Sequence, residues 1–227
     1  MSASASTPVQ PILITLDGNI GAGKSTLLKA IHERFPHLTV IQEPVGEWLT
    51  MKSSSGESLL ELFYKDTPRW AYTFQNCAIL TRLLDTLRIL KEWRPTEGKL
   101  PVIITERSVL TDRHVFADML YSQGKMDLLE WNLYLKWYNA FAAELPIRGI
   151  IHLATSVTTS ADRIKVRGRE GEDGIPTDYL AALDAQHAKW IAESALPTLS
   201  IDTEPSTSLD DTLARIDAWI QANFAKH

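Results

Sequence analysis

The sequence predicts an α/β domain built on a central parallel sheet of about five strands, flanked by helices. Five short apolar segments, each of the length of a buried strand, alternate with segments of helical length. Strands that alternate with helices pair in parallel through right-handed crossovers. The chain has 227 residues, of which 44% are hydrophobic, so it can bury a full core.

The individual elements follow from apolar runs and from the turn-forming residues that end them. Strands are predicted over residues 11–16, 38–41, 101–105, 149–153 and 198–201. Helices are predicted over residues 24–35, 59–64, 68–93, 112–122, 126–144, 177–195 and 209–224. Because no internal repeat or long linker divides the chain, residues 11–227 are expected to form a single domain after a short disordered tail at 1–10.

Composition excludes several classes of protein. The formal net charge of −5 disfavours a general binder of nucleic acid polymers. Cys77 is the only cysteine, so neither an intrachain disulfide nor a thiolate metal site is expected. No apolar run approaches the length of a membrane span, and residues 1–10 contain no Arg or Lys. We therefore expect a cytoplasmic protein with neither a membrane nor a nucleic acid partner.

A glycine-rich segment follows the first predicted strand. Residues 18–25, GNIGAGKS, match the pattern G-x-x-x-x-G-K-S in the strand-to-helix context that a phosphate-binding loop requires. Lys24 can neutralise the β- and γ-phosphates, and Ser25 can place its hydroxyl on Mg²⁺. The residues expected to bind ATP here are Gly18, Asn19, Ile20, Gly21, Ala22, Gly23, Lys24, Ser25 and Thr26. A chance glycine-rich loop is the alternative, and the motif alone does not specify the reaction.

Two acidic segments follow the next two predicted strands. Glu43 comes after the second strand, and Glu106 with Arg107 after the third. Ligands of open parallel sheets bind outside the carboxyl ends of the strands, so these side chains are expected beside the phosphates. Phosphoryl transfer needs a proton acceptor and cations that offset the charge of the transferred group. Glu43, Arg107 and Lys24 are therefore the candidate catalytic residues.

A basic cluster occupies the charged segment at residues 160–174. Arg163 and Arg167 are four residues apart and share one helix face, while Gly168 breaks the helix and aims Arg169 separately. Such a cluster on a mobile segment can close over ATP and exclude water. A solvated charged face is the alternative reading.

The ordered set of motifs resembles the deoxynucleoside kinase family over residues 12–191. The resemblance is carried by GNIGAGKS at 18–25, EPV at 43–45 with Trp48, Tyr64 with Arg69 and Trp70, Phe74 with Gln75, ERS at 106–108, and Arg163 to Arg169 with Glu172. It implies a P-loop kinase fold with an arginine-rich lid and Mg²⁺ with ATP as phosphate donor. The implied reaction transfers the γ-phosphate to the 5′-hydroxyl of a deoxynucleoside, in nucleotide salvage. Beyond residue 202 the match fades, so contacts from the last loop stay open.

The resemblance also implies a role for each site residue. Glu43 resembles the base for the 5′-hydroxyl, Arg107 would hold that hydroxyl and the phosphates, and Glu106 would support Mg²⁺. Tyr64 and Glu172 would bind the 3′-hydroxyl. The remaining implied contacts are Gln75 to the nucleobase, Trp48, Phe74 and Phe116 as walls of the base pocket, and Arg163, Arg167 and Arg169 as the lid on ATP.

A polar stripe on the long predicted helix bears on substrate preference. Gln75, Ala78 and Arg82 follow helical spacing on one face, and Asp112 follows shortly after Arg107. An Arg–Asp pair can donate to acceptors of a purine and accept from the amine of cytosine or adenine, whereas thymine offers no amine and adds a methyl group. We therefore expect deoxycytidine and purine deoxynucleosides to be favoured over thymidine. The alternatives are a solvated stripe, or an ion pair that ties two helices together outside the pocket.

The predicted helix at 126–144 is apolar over more than one face. One face is therefore left over after packing on the sheet, and the family resemblance implies a helical homodimer interface. A fully buried helix in a monomer is the alternative.

Two other functions are the alternatives to this reading of the sequence. A thymidylate kinase-like nucleoside monophosphate kinase shares the loop and the Glu-Pro pair, but it needs a further arginine for the acceptor phosphate. A GTPase-like switch is expected to carry Asn-Lys-x-Asp, which does not occur in the sequence.

Overall fold

The computed structural model describes residues 10–142, 145–172 and 174–225, and a five-stranded sheet runs through its centre in the order β2-β3-β1-β4-β5. The strands are β1 Ile12–Gly18, β2 Thr39–Ile41, β3 Val102–Glu106, β4 Ile147–Ala154 and β5 Thr198–Asp202. All neighbouring strands are parallel, so the predicted α/β class is confirmed. Residues 1–9, most of the predicted tail, lie outside the described residues.

Helices cover both faces of the sheet. They are α1 Lys24–Arg34, α2 Val45–Thr50, α3 Leu59–Lys65, α4 Thr67–Glu92, α5 Val109–Thr111, α6 Asp118–Ser122, α7 Leu128–Phe141, α8 Val157–Arg167, α9 Thr177–Glu193 and α10 Leu209–Phe224. A π-helix, Asp112–Ala117, joins α5 to α6. None of the helices in the described parts of the chain has both the length and the apolarity needed to cross a membrane.

Successive side chains of the central strand, β1, point alternately into two hydrophobic cores, one on each face of the sheet. Leu13 packs with the buried side chains of α3, α7 and α9, among them Phe63 and Tyr134. Ile14 packs on the opposite face with buried residues of α1 and α10. This period of two is that of a strand covered on both faces, and it accounts for the nearly continuous apolar sequence of β1.

The structure differs most from the predicted helices at three places. Helix α2 was not predicted, since it has only six residues and starts after Pro44. The helix predicted from residue 112 begins at Val109, where the side chain of Ser108 accepts the N–H of Leu110 and caps it. The helix predicted over 126–144 spans Leu128–Phe141, and residues 143 and 144 lie outside the described residues.

The strand order determines where the functional residues meet. β1 lies between β3 and β4, and β3 lies next to β2. The carboxyl ends of β1, β2 and β3 are therefore neighbours at one edge of the sheet, where a ligand of an open parallel sheet binds.

Candidate active site

The phosphate-binding segment is a tight loop between β1 and α1. Gly21 has a φ of 80°, and a Cβ there would collide with the carbonyl oxygen of Ser160 on α8. Only glycine therefore allows α8 to approach the loop this closely. Lys24 is buried behind the loop, where its Nζ donates to the carbonyl oxygens of Gly18 at 3.1 Å and Asn19 at 2.7 Å.

The other loop residues divide between support and cavity. The side-chain nitrogen of Asn19 donates to the Leu180 carbonyl at 2.8 Å, which ties the loop to α9. Ser25 and Thr26 are exposed at the start of α1 and line a cavity against α8. The buried apolar residues of the loop are Ile20 and Ala22. The loop thus presents its backbone to the cavity, as phosphate binding requires.

The electrostatic environment of Lys24 is unusual for a lysine. Burial, reinforced by the charge of Arg107, lowers the pKa of Lys24 to about 7, although the charges of Glu106 and Glu43 oppose this shift. A triphosphate bound in the loop would add negative charge beside the ammonium group. Binding of an anionic ligand would therefore stabilise the charged form of Lys24, which burial disfavours in the free protein.

Two arginines and two carboxylates form a buried charge cluster at the strand ends. Glu43 Oε1 accepts from Arg107 at 2.7 Å and from Arg82 at 3.0 Å, and its Oε2 accepts from Arg107 at 2.8 Å. Arg82 also donates to Asp112 at 2.9 Å and 3.3 Å and to the Glu106 carbonyl at 2.9 Å. Burial alone raises the pKa of Glu43, but Arg107 and Arg82 outweigh it and hold the value at about 2.

Arg107 is held in a backbone conformation that is rare for its residue type. Its φ is 57°, in the left-handed region, where it is the one non-glycine residue among those described. The N–H of Arg107 donates to the Leu16 carbonyl at 3.0 Å, and its own carbonyl accepts from the Thr105 hydroxyl at 2.8 Å. The bonds to β1 and β3 fix this conformation, which aims the guanidinium at Glu43.

Asp17 is a buried carboxylate that the sequence analysis did not single out. It is fully buried near the end of β1 and accepts from the hydroxyls of Thr15 and Thr111, each at 2.5 Å. Burial raises its pKa, while the two hydroxyls lower it. The bond to Thr111 joins β1 to the end of α5, and it thereby fixes the start of the helix that carries Asp112.

Aromatic side chains wall the cavity above the charge cluster. Trp48 of α2 packs edge-on against Phe74 of α4, with ring centroids 5.2 Å apart, and its indole N–H donates to Thr81 at 3.0 Å. The guanidinium of Arg107 lies 5.0 Å from the ring centre of Phe116. All three aromatic residues predicted as walls of the base pocket line one cavity.

The predicted polar stripe of α4 faces this cavity. Gln75, Ala78 and Arg82 are 1%, 3% and 2% exposed, so the alternative of a solvated stripe is excluded. Asp112 also lines the cavity, and its pairing with Arg82 is therefore not a tie between helices outside the pocket. The side-chain oxygen of Gln75 is buried and has no hydrogen-bond partner among the described residues.

The loop after α8 closes the opposite end of the cavity. Glu172 accepts from Arg167 and, at 3.0 Å, from Arg169. Gly171 packs against Glu61 at the start of α3, where an added Cβ would lie 3.0 Å from the Glu61 Cγ. The two arginines predicted to hold ATP therefore pair with the carboxylate predicted to bind the sugar, and they line both cavities.

Two tyrosines meet at this end. Tyr64 of α3 and Tyr179 of α9 pack edge-on, with ring centroids 6.2 Å apart and an interplanar angle of 89°. Tyr179 lines the cavity, but sequence reasoning missed it because a single tyrosine at a helix start matches no motif.

A second cavity lies between the phosphate loop, α8 and residues 203–212. Arg163 bridges its walls, since one guanidinium nitrogen donates to the Thr203 carbonyl at 2.7 Å and the other to the Ala22 carbonyl at 3.4 Å. Glu204 accepts from the N–H of Ser156, which caps α8, at 2.7 Å. The loop after β5, whose contacts the sequence left open, thus holds α8 beside the phosphate loop.

Comparison with known proteins identifies relatives over most of the chain. A family model described as deoxynucleoside kinase matches residues 14–220. Deoxycytidine kinase 2 of Gallus gallus is 36% identical over 207 residues, which span 84% of this chain and 77% of that protein. Human deoxycytidine kinase is 35% identical, over 82% of this chain and 77% of its own length. Mitochondrial deoxyguanosine kinase of Xenopus laevis is 28% identical, over 98% of this chain and 88% of its own length.

Proposed function

This chain belongs to the deoxynucleoside kinase family and is an ATP-dependent deoxynucleoside kinase, and we propose that it favours deoxycytidine and purine deoxynucleosides over thymidine. The alternative of a thymidylate kinase-like enzyme receives no support from these relatives. The buried pair of Arg82 and Asp112 in the cavity is the observation that carries the proposed preference.

The residues of the charge cluster suit transfer of the γ-phosphate to a 5′-hydroxyl. We propose that the 5′-oxygen forms a bond to the γ-phosphorus as the bond to the β,γ-bridging oxygen breaks, and that the hydroxyl proton passes to Glu43. In a loose transition state the hydroxyl becomes acidic late, so a carboxylate with a pKa of about 2 suffices as acceptor. We propose that Arg107 and Lys24 offset the charge of the transferred group.

The donor set near the phosphate loop fits Mg²⁺. The Ser25 hydroxyl donates to Glu106 Oε1 at 2.8 Å, which brings two hard oxygen ligands together at the loop. No cluster of three or more His, Cys, Asp or Glu side chains suited to a metal occurs among the described residues. We propose that the ion would be held by the hydroxyl of Ser25, the carboxylate of Glu106, water and the triphosphate. When bound, Mg²⁺ would neutralise charge on the β- and γ-phosphates.

The bonding of Arg82 leaves capacity for a nucleobase. Four of its five N–H groups are used by Asp112, Glu43 and the Glu106 carbonyl, and one N–H on Nη1 is left among the described residues. That group can donate to N7 or O6 of a purine, and Asp112 can accept from an exocyclic amine. Thymine offers no amine, so Asp112 would gain no further hydrogen bond in its complex.

The experiment is the double variant Arg82→Met with Asp112→Ala, because removal of one partner alone would strand a buried charge. We expect kcat/KM for thymidine to rise and kcat/KM for deoxycytidine or deoxyguanosine to fall by about tenfold or more. The matched control is Arg88→Met with Asp85→Ala, an ion pair on the solvent side of the same helix, which should leave the ranking unchanged. A wild type that prefers thymidine, or a double variant with unaltered ranking, contradicts the proposed preference.

We further propose that the chain forms a homodimer through α4 and α7, which pack against each other. Large apolar side chains lie exposed along both helices: Leu80, Leu84 and Leu87 on α4, and Leu128, Leu129, Leu133, Trp137 and Phe141 on α7. Leu129 is 78% exposed, which excludes a fully buried α7 within one chain. A contiguous apolar surface of this kind favours association with a second copy.

Sedimentation at micromolar concentration tests the dimer. We expect a species of twice the chain mass for the wild type and of one chain mass for Leu84→Glu with Trp137→Glu. A wild type that sediments only as a single chain contradicts the proposal. The cytoplasmic location expected from the sequence stays a prediction.

A further inference from the structure

Three buried polar atoms on the cavity lack a hydrogen-bond partner among the described residues: Gln75 Oε1, Arg107 Nε and the Tyr179 hydroxyl. The roles that the family resemblance implies account for the first two, since Gln75 would bind the nucleobase and Arg107 the 5′-hydroxyl. They leave Tyr179 without a role. A shielded hydroxyl with no partner is unfavourable unless a ligand completes its bonding.

The position of Tyr179 relates it to the sugar end of the cavity. Its ring packs edge-on against Tyr64 and against Phe63, with centroids 6.2 Å and 6.4 Å apart, so two neighbours fix the ring plane. Burial raises the pKa of Tyr64, and the proximity of Tyr179 and Glu172 raises it further. The ring contact between Tyr64 and Tyr179, and the position of Glu172 on the lining of the same cavity, bring these three side chains to one cavity.

The chemistry of a sugar hydroxyl sets how many partners it needs. An alcohol offers one hydrogen to donate and two lone pairs that accept. Glu172 is an acceptor only, and it can take the hydrogen of the alcohol. Two donors are then required for the lone pairs, and Tyr64 supplies one. Burial raises the pKa of Tyr179, so its phenol stays protonated and supplies a donor.

We propose that Tyr179 is a substrate-binding residue that donates a hydrogen bond to the 3′-hydroxyl of the deoxynucleoside, alongside Tyr64, while Glu172 accepts from it. The inference rests on the proposed function and adds to it. The enzyme thereby selects nucleosides that carry a 3′-hydroxyl through three side chains from α3, α9 and the loop between α8 and α9.

The experiment compares Tyr179→Phe with wild type on a 2′-deoxynucleoside and on its 2′,3′-dideoxy analogue. We expect kcat/KM for the deoxynucleoside to fall about two- to twelvefold, the range of one hydrogen bond, with the dideoxy value unchanged. The matched control is Tyr121→Phe, whose ring stacks on Trp131 outside the cavity and which should alter neither value.

An equal fall on both substrates, or no fall on either, overturns the proposal, because Tyr179 would then act through packing or not at all. The unfolding temperatures of the two variants should lie within a few degrees of the wild-type value. A change in kcat/KM then reports on the binding site and not on folding. If the wild-type enzyme phosphorylates no deoxynucleoside, the proposed function fails instead, and that outcome is distinct.

Discussion

Replacing Glu43 with glutamine removes one negative charge from a site in which two arginines converge. Arg82 keeps Asp112 as partner at 2.9 Å. Arg107, which is 5% exposed, loses the one carboxylate that lies within ion-pair distance of it among the described residues. The glutamine keeps one oxygen acceptor but turns an N–H₂ group towards guanidinium donors.

The expected effect on stability follows from these contacts. Removing one partner of a buried ion pair costs about 3–5 kcal/mol, and the remaining acceptor favours the lower end, about 3 kcal/mol. For a chain of this length that corresponds to a fall in Tm of about 6–12 °C. Scanning calorimetry at pH 7 measures it. Glu47→Gln, the same substitution at an exposed position of α2, is the control and should leave Tm within about 1 °C.

The expected effect on activity is larger. With no carboxylate to accept the proton, kcat should fall about 10²-fold or more, while the dissociation constant of the nucleoside stays nearly unchanged. Assays at 15 °C, well below the lowered Tm, keep the variant folded, so a fall in kcat there reports a loss of catalysis and not a loss of the fold. Because the pKa of Glu43 is about 2, the wild-type profile of kcat/KM should show no loss through protonation of Glu43 between pH 5 and 8. A variant with near-normal kcat at 15 °C refutes the assignment of Glu43 as base.

Two further predictions concern the phosphate loop and the packing of the sheet. Because the pKa of Lys24 is about 7 in the free protein and bound phosphates raise it, ATP binding at pH 8 should take up close to one proton, about 0.9, and almost none at pH 6. Calorimetry in buffers of different ionisation enthalpy measures the uptake, and Lys24→Met should abolish it; equal uptake at both pH values would rule the reasoning out. Gly149→Ala should destabilise by about 1–3 kcal/mol, since the new Cβ would lie 2.7 Å from the ring of Trp219. Gly46→Ala in α2 meets no atom within 4 Å and should be neutral or slightly stabilising, and equal Tm values for the two variants would contradict the packing argument.

The architecture and the phosphate loop were predictable from sequence because each rests on local chemistry. Apolar runs between turn residues locate β1 and β4, and the spacing of glycines and Lys24 requires one backbone arrangement. The burial of Arg82 and Asp112 depends on contacts between distant helices, so helical spacing could predict only that the stripe exists.

The features that sequence did not predict have equally specific causes. Asp17 precedes Gly18, a pattern that predicts only the end of a strand, whereas two threonine hydroxyls hold it inside the sheet. The π-helix has a longer period than the 3.6 residues that hydrophobic patterns reveal, so a continuous α-helix was predicted there. The pairing of Glu172 with Arg167 and Arg169 joins residues to which the family resemblance gave different substrates.

The left-handed backbone of Arg107 has a consequence for anyone redesigning this enzyme. A non-glycine residue in that conformation costs the fold about 1 kcal/mol, and glycine would relieve the strain. A procedure that ranks substitutions by compatibility with the backbone alone would therefore favour Arg107→Gly. The same change deletes the cation beside Glu43. Because removing one partner of this buried ion pair costs about 3–5 kcal/mol, more than the strain that glycine relieves, such a procedure would choose a substitution that lowers both stability and turnover.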